Sequence, residues 1–397
     1  MKYLFCSLTQ FGFLCPAIGI AKALQQRGHQ VAFVTGLAGE PLLHQAGLKR
    51  IPRGTKDGPS FQIEQLGHPA EILQQIRHTE YAIDTFMPDV LVGQQLTMST
   101  VIVGKRHHIP VAGIGLASYI WPTEVTSDYY PSVYHEIVAD DYADMFALYQ
   151  FFCEMFSLSA RETSYDETPF LGDLFLLQSV PELEGDIHCL PDRVHLVGAC
   201  EWSLPQNDSE LQQWLEEAIT AKIPILYLQL GTTFLFPSSW ACIAEVLGKQ
   251  AVRVVASVGR MTRPPGTIPA NFFVRNHVSQ GQVLPYARAV ISSSTTTAVL
   301  GAFSHGLPLL LIPGDGGEQT HLLLRCLRTG ATIGISPVKI THEILAQKID
   351  ELLNDGELRR NGERMRQAFA RAKQTAGAAD LLEELGTQQQ PVRRAIA

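Results

Sequence analysis

The chain has 397 residues, a length that suggests two domains, and its 46% apolar content supplies material for two cores. A formal charge of −8 argues against a nucleic-acid partner, because phosphate-backbone binding leans on clustered Lys and Arg. No run of 18 uncharged apolar residues occurs, so no membrane span is expected. The apolar start Met1–Leu8 is too short for a secretion signal and lacks a small-residue cleavage site. Cys6, Cys15, Cys153, Cys189, Cys200, Cys242 and Cys326 are never spaced C-x-x-C. They are expected to be buried free thiols in a reducing, cytoplasmic setting, with no metal site.

In chain order, Tyr3–Leu8 reads as a strand buried on both faces of a parallel sheet. A loop with Gly12 and Pro16 follows, then a helix from Ala17 to Arg27 that stops at Gly28, then a strand at Val31–Val34. The unit repeats as a strand at Asp89–Val92, a helix at Thr97–Arg106 and a strand at Pro110–Ile114. Residues 121–168 are rich in Tyr, Phe and Asp, have no clean period, and suit helices and loops that close a pocket. Phe175–Leu177 and Val194–Gly198 end the first half.

The polar stretch after Ser203, with Pro205, reads as a linker. Strands follow at Ile225–Leu230, Val252–Ala256, Phe272–Val274, Ala289–Ser292 and Leu309–Ile312, with a helix at Trp240–Lys249 and helical patterning over 342–386. Alternating strands and helices predict an α/β protein of two Rossmann-like, doubly wound domains facing a central cleft. The expected division is 1–203, a linker at 204–210, 211–386, and a flexible tail at 387–397.

Three loops follow strands where a phosphate is expected to sit: Gly231-Thr232-Thr233, Ser292 to Thr297, and Gly314 to Gly317. A helix N-terminus offers free N–H groups and a positive dipole end. One hydroxyl suffices to cap a helix, and the run of six Ser and Thr exceeds that need.

Arg27-Gly28-His29, Tyr227 to Thr232, Val274 to Val278, Val283 to Ala287, Gly306-Leu307-Pro308, Glu318-Gln319 and Gly330-Ala331 occur in an order that resembles family 1 nucleotide-sugar glycosyltransferases. The resemblance covers nearly the whole chain. It implies the GT-B fold, with acceptor bound by the N-terminal domain and a UDP- or dTDP-sugar donor by the C-terminal one. It places the diphosphate on Gly231 and Thr232, further donor contacts on Val278, Ser293, Ser294 and Thr295, and the sugar hydroxyls on Glu318 and Gln319. Phe13, Gln94 and Trp121 fall in the acceptor pocket.

Several positions depart from the family. The general-base His falls on Phe13, which cannot take a proton, and the Asp that orients it falls near Gln94. The His-Gly-Gly signature falls on Ser293, Ser294 and Thr295, and the ribose-holding Glu falls on Gly301. Asp128, His135 and Glu124 are weak candidates for a substitute base; an acceptor that is already ionised needs none. The expected activity is transfer of a sugar to a small, fairly apolar acceptor, with inversion at the anomeric carbon. The alternative is a catalytically lapsed binding or partner protein. Gly301 suits a deoxythymidine donor, whose sugar lacks the hydroxyl such an acid holds.

Overall fold

The computed structural model describes residues 1–54, 57–65, 67–116, 133–160, 168–203, 208–230, 237–259, 266–314 and 317–394. The chain forms two compact units. One comprises Met1–Pro181, Gly185–Trp202 and Ala372–Ala397; the other comprises Glu182–Glu184 and Ser203–Arg371.

The first unit is built on a sheet of seven described strands: β1 (Lys2–Cys6), β2 (Gln30–Val34), β3 (Lys49–Arg50), β4 (Val90–Gln94), β5 (Val111–Gly115), β6 (Leu174–Leu177) and β7 (Val194–Leu196). Their order is β3-β2-β1-β4-β5-β6-β7, and every pairing is parallel. β4, β5 and β6 are buried at every residue, the pattern of strands covered on both faces.

The first helix runs from Phe11 to Gln26 and holds Pro16 inside it. It therefore starts six residues before the expected Ala17, and Gly12 and Phe13 lie in its first turn instead of a loop. Pro16 lacks an N–H and so removes only the bond to the Gly12 carbonyl, a small loss this close to the helix start. Gly19 allows a close approach: a Cβ there would lie 3.1 Å from Trp202 Cβ and 3.2 Å from Thr375 Cγ2.

That contact belongs to a correction of the expected domain division. The last helix, Gln374–Gln388, packs on the first unit and not on the second. Arg27 Nη1 reaches Glu383 at 2.6 Å and Asp380 at 2.9 Å, and His29 Nε2 meets Glu383 at 2.6 Å. Nor do residues 388–394 form a loose tail. Val392 N–H donates to Asp173 O at 2.9 Å, and Arg394 N–H to Asp192 O at 2.7 Å. An amphipathic helix carries the same apolar stripe whichever core it joins, so periodicity alone does not assign it.

The second unit repeats the plan with β8 (Ile225–Gln229), β9 (Arg253–Ser257), β10 (Phe272–Arg275), β11 (Ala289–Ser292), β12 (Leu309–Leu311) and β13 (Thr332–Gly334). The order is β10-β9-β8-β11-β12-β13, again all parallel. Leu226, Leu228, Val254, Ile291 and Leu310 pack with Trp240, Ile243 and Leu247 from the Pro237–Gly248 helix. Each such aliphatic side chain contributes about 1.5–3 kcal/mol on burial. Both sheets follow the 3-2-1-4-5-6 order, which places a topological switch point between β1 and β4 and another between β8 and β11. Four cysteines (Cys6, Cys153, Cys200 and Cys326) are buried free thiols as expected, Cys15 and Cys242 are partly so, and Cys189 is exposed.

Candidate functional site: a hydroxyl loop at the second switch point

In a doubly wound sheet the loops at the switch point diverge and leave a crevice beyond the carboxyl ends of the strands. In the second unit the loop after β11, Ser293-Ser294-Thr295, borders that crevice and opens the Thr296–Ser304 helix. Ser293 is fully buried; its Oγ donates to Leu230 O at 2.5 Å and its N–H to Gln229 O at 3.3 Å. Ser292 Oγ lies 3.3 Å from Thr295 Oγ1. These hydroxyls brace the loop.

Ser294 differs. It is 2% exposed, its Oγ has no partner, and its backbone is left-handed at φ 61. A left-handed serine is strained by about 1–2 kcal/mol, which fits the glycine that the resemblance places there. The helix that follows has no side-chain cap bond from Thr295 and no acid in its first turn. Capping therefore does not account for the Ser/Thr run. An uncapped helix start beside a buried, unpaired hydroxyl is suited to an anion.

Glu318 adjoins this loop. It lies in the first turn of the Gly317–Arg328 helix and is half-buried, and its carboxylate accepts a hydrogen bond from the Thr296 hydroxyl. Burial pushes its carboxyl up to about 7, against the Arg325 guanidinium and that hydrogen bond, which both pull it down. Gln319 Oε1 accepts the Gly314 N–H at 2.5 Å, so this amide shapes its own loop. Val278 is 3% exposed and belongs to the apolar packing. Gly231 and Thr232 lie outside the described residues.

Gln229 and Gln280 were not singled out by the sequence. Gln280 Nε2 donates to Gln229 Oε1 at 2.7 Å, and the Tyr227 hydroxyl donates to the same oxygen at 3.0 Å. Gln229 Nε2 reaches Thr297 Oγ1 at 3.3 Å. This neutral chain lies against Gly301, where a Cβ would collide with the Gln280 amide and with Leu284 Cδ1 at 2.9 Å. The available signal was a polar residue, Gln229, closing an otherwise apolar strand.

In the first unit, β1 and β4 are neighbours; Phe13 lies in the helix that follows β1, and Gln94 is the last residue of β4. Gln94 is 6% exposed, and its Oε1 accepts the Leu96 N–H at 3.0 Å. Neither residue can act as a base. Trp121, Glu124 and Asp128 lie outside the described residues. His135 falls in the Val133–Met155 helix, at a position whose side chain is not described. Burial pushes the Cys15 thiol up to about 12, which removes it as a nucleophile. Among the described residues no cluster of His, Cys, Asp and Glu is placed to hold a metal. A hollow of about 360 Å³ lined by Trp214, Ile223, Val252, Arg253 and Asn271 lies at the amino ends of β8–β10, away from these loops.

The chain is thus an α/β protein of two doubly wound units, the second with an uncapped helix start, an unpaired serine hydroxyl and the half-buried Glu318 beside its switch point. Residues 137–368 match the family described as UDP-glucoronosyl and UDP-glucosyl transferase, and the chain belongs to that family. It is a nucleotide-sugar-dependent glycosyltransferase with the GT-B fold. It is 22% identical to 4'-demethylrebeccamycin synthase of Lentzea aerocolonigenes, across 94% of this chain and 97% of that protein. It is 21% identical to NDP-glycosyltransferase YjiC of Bacillus subtilis (strain 168), across 89% of each. The solved structure of glycosyltransferase VinC in complex with DTDP superposes with a TM-score of 0.72 at 16% identity, covering 98% of this chain and 100% of that one. The partner-protein alternative finds no support in these comparisons. No helix among the described residues is long and apolar enough to cross a membrane.

Proposed function

We propose that this enzyme moves a sugar from a dTDP-sugar to a small, largely apolar natural-product acceptor, with inversion at the anomeric carbon, in the cytoplasm and with no nucleic-acid partner. The observation that carries this reading is the buried, unpaired Ser294 hydroxyl at an uncapped helix start, with Glu318 bonded to the next turn. Diphosphate oxygens would accept from Ser294 and the loop N–H groups, easing departure of the nucleoside diphosphate. Glu318 would accept from sugar hydroxyls, offering several lone pairs in one place. The neutral Gln229–Gln280 chain beside Gly301 supports a deoxyribose donor, since it presents no carboxylate to hold a 2′-hydroxyl. A complex of a similar protein with DTDP supports the same reading.

Calorimetric titration with dTDP and with UDP tests it. Tighter binding of dTDP is expected, with both weakened about tenfold by Ser294→Ala, the effect of one lost hydrogen bond to a charged group. Preference for UDP overturns the donor base. Binding of neither overturns the donor site.

A further inference from the structure

The first unit has its own switch point, between β1 and β4, and the segments that follow these two strands border the crevice beyond their carboxyl ends. Thr9 lies in the segment after β1, just before the helix that carries Phe13. Ser99 lies in the first turn of the Met98–His107 helix, which follows β4 and Gln94. Phe61, in the segment after β3, is held against the first of these borders. It is fully buried, with a left-handed backbone at φ 55. That conformation is unfavourable for a bulky side chain and persists only where the surroundings hold it.

Three contacts do so. The Phe61 carbonyl accepts the Thr9 N–H at 3.0 Å and Thr9 Oγ1 at 3.4 Å. The Ser60 carbonyl fills the space beside Gly36, where a Cβ would lie 2.0 Å from it. The Phe61 N–H donates to Glu71 Oε1 at 2.6 Å. Glu71 is 3% exposed and sits in the first turn of the Pro69–Phe86 helix. The same Oε1 accepts Gln75 Nε2 at 3.0 Å, and Gln75 Oε1 accepts Ser99 Oγ at 3.3 Å. One carboxylate oxygen is thus tied to both borders of the switch point, to Thr9 through Phe61 and to Ser99 through Gln75. An apolar side chain at 71 would leave the Phe61 N–H unpaired in the interior.

We propose that Glu71 is a positioning residue for the sugar acceptor, setting the loop at Thr9 and the helix start at Ser99 against each other. It touches no substrate in this scheme and acts through Phe61 and Gln75. Phe13 and Gln94 cannot take a proton, so orientation of the acceptor carries more of the rate. The inference deepens the proposed function and rests on it only in taking this crevice as the acceptor's.

Hydrogen exchange read by mass spectrometry over residues 7–14 and 95–103 tests it on the full chain, beside transfer from dTDP-glucose to 4-methylumbelliferone. Glu71→Ala should speed exchange in both segments together, and Ser99→Ala in the second alone. Glu71→Gln should stay near wild type, because both bonds fall on one oxygen that an amide also supplies. Thr79→Val is the structural control: Thr79 is as buried, but its hydroxyl bonds the Gln75 carbonyl of its own helix at 2.8 Å. It should lower Tm and leave both segments unchanged. In transfer, Glu71→Ala should lower kcat/KM for the acceptor about tenfold to a hundredfold, with the KM of dTDP-glucose within about twofold of wild type. If Glu71→Ala fails to fold, Ser99→Ala against Glu71→Gln carries the test. Unchanged exchange at 7–14 in Glu71→Ala, equal losses for donor and acceptor, or a Thr79→Val variant that matches Glu71→Ala overturns the proposal. If wild type transfers no sugar, the proposed function has failed for this pair, and the exchange pattern still decides whether Glu71 holds both borders.

Discussion

The Gln280 carboxamide fills the space that a side chain on Gly301 would need, and its bond to Gln229 holds it there at 2.7 Å. The two residues are matched, so a change in one constrains the other. Gly301→Glu should lower stability by about 1–3 kcal/mol through overpacking, a fall of roughly 3–10 °C in Tm by scanning calorimetry. Adding Gln280→Ala should recover most of that loss. The double variant should also gain affinity for UDP relative to dTDP. No recovery would show that the two positions are independent.

Arg325 and Glu184 form a buried ion pair, with 1% and 0% of their side chains exposed and 3.1 Å between them. Arg328 Nη2 also donates to Glu184 O at 2.9 Å. Removing one charge leaves the other buried without its counter-charge. Arg325→Met should cost about 3–5 kcal/mol in urea unfolding, whereas Arg325→Met with Glu184→Leu should lie much closer to wild type. A double variant as unstable as the single one would contradict this account.

Ser294→Gly should leave the fold as stable as wild type or add up to about 1 kcal/mol, because glycine adopts φ 61 without strain. It should still weaken nucleotide binding, since the hydroxyl is lost. Calorimetry and a melting curve on one sample separate the two effects. A destabilised Ser294→Gly would show that the hydroxyl braces the loop.

Glu318 carries a pH signature. Its folded carboxyl is raised to about 7 from an ordinary 4.5, so burial favours the protonated form. The associated stability is fully present below 4.5 and is lost as pH rises through 7. Glu318→Gln should therefore gain stability relative to wild type between pH 4.5 and 7. Nucleotide-sugar affinity should move the other way, rising as the carboxylate forms. Flat affinity from pH 6 to 8 in wild type would remove Glu318 as the ionised sugar reader.

Much of the candidate site was legible before the fold. The hydroxyl run at 292–297, Glu318 and the substitutions at Phe13 and Gln94 all stand out by residue type and order. What each hydroxyl does was not legible. Ser292, Ser293 and Ser294 are the same residue, yet two brace the loop and one is left unpaired. Gln280 was missed because an amide has no distinctive spacing, and its importance comes only from what surrounds it.

The sequence by itself determined the two α/β halves, since apolar strand runs and helical spacing are local properties of the chain. It also determined the chemistry within reach, because Phe13 cannot take a proton in any fold. Only the tertiary structure decided that the Gln374–Gln388 helix joins the first unit, where Arg27 and His29 meet Glu383. It likewise decided which polar groups were left without partners. Hydrogen-bond satisfaction depends on neighbours far apart in the chain, and the apolar stripe of a helix is the same whichever core it covers.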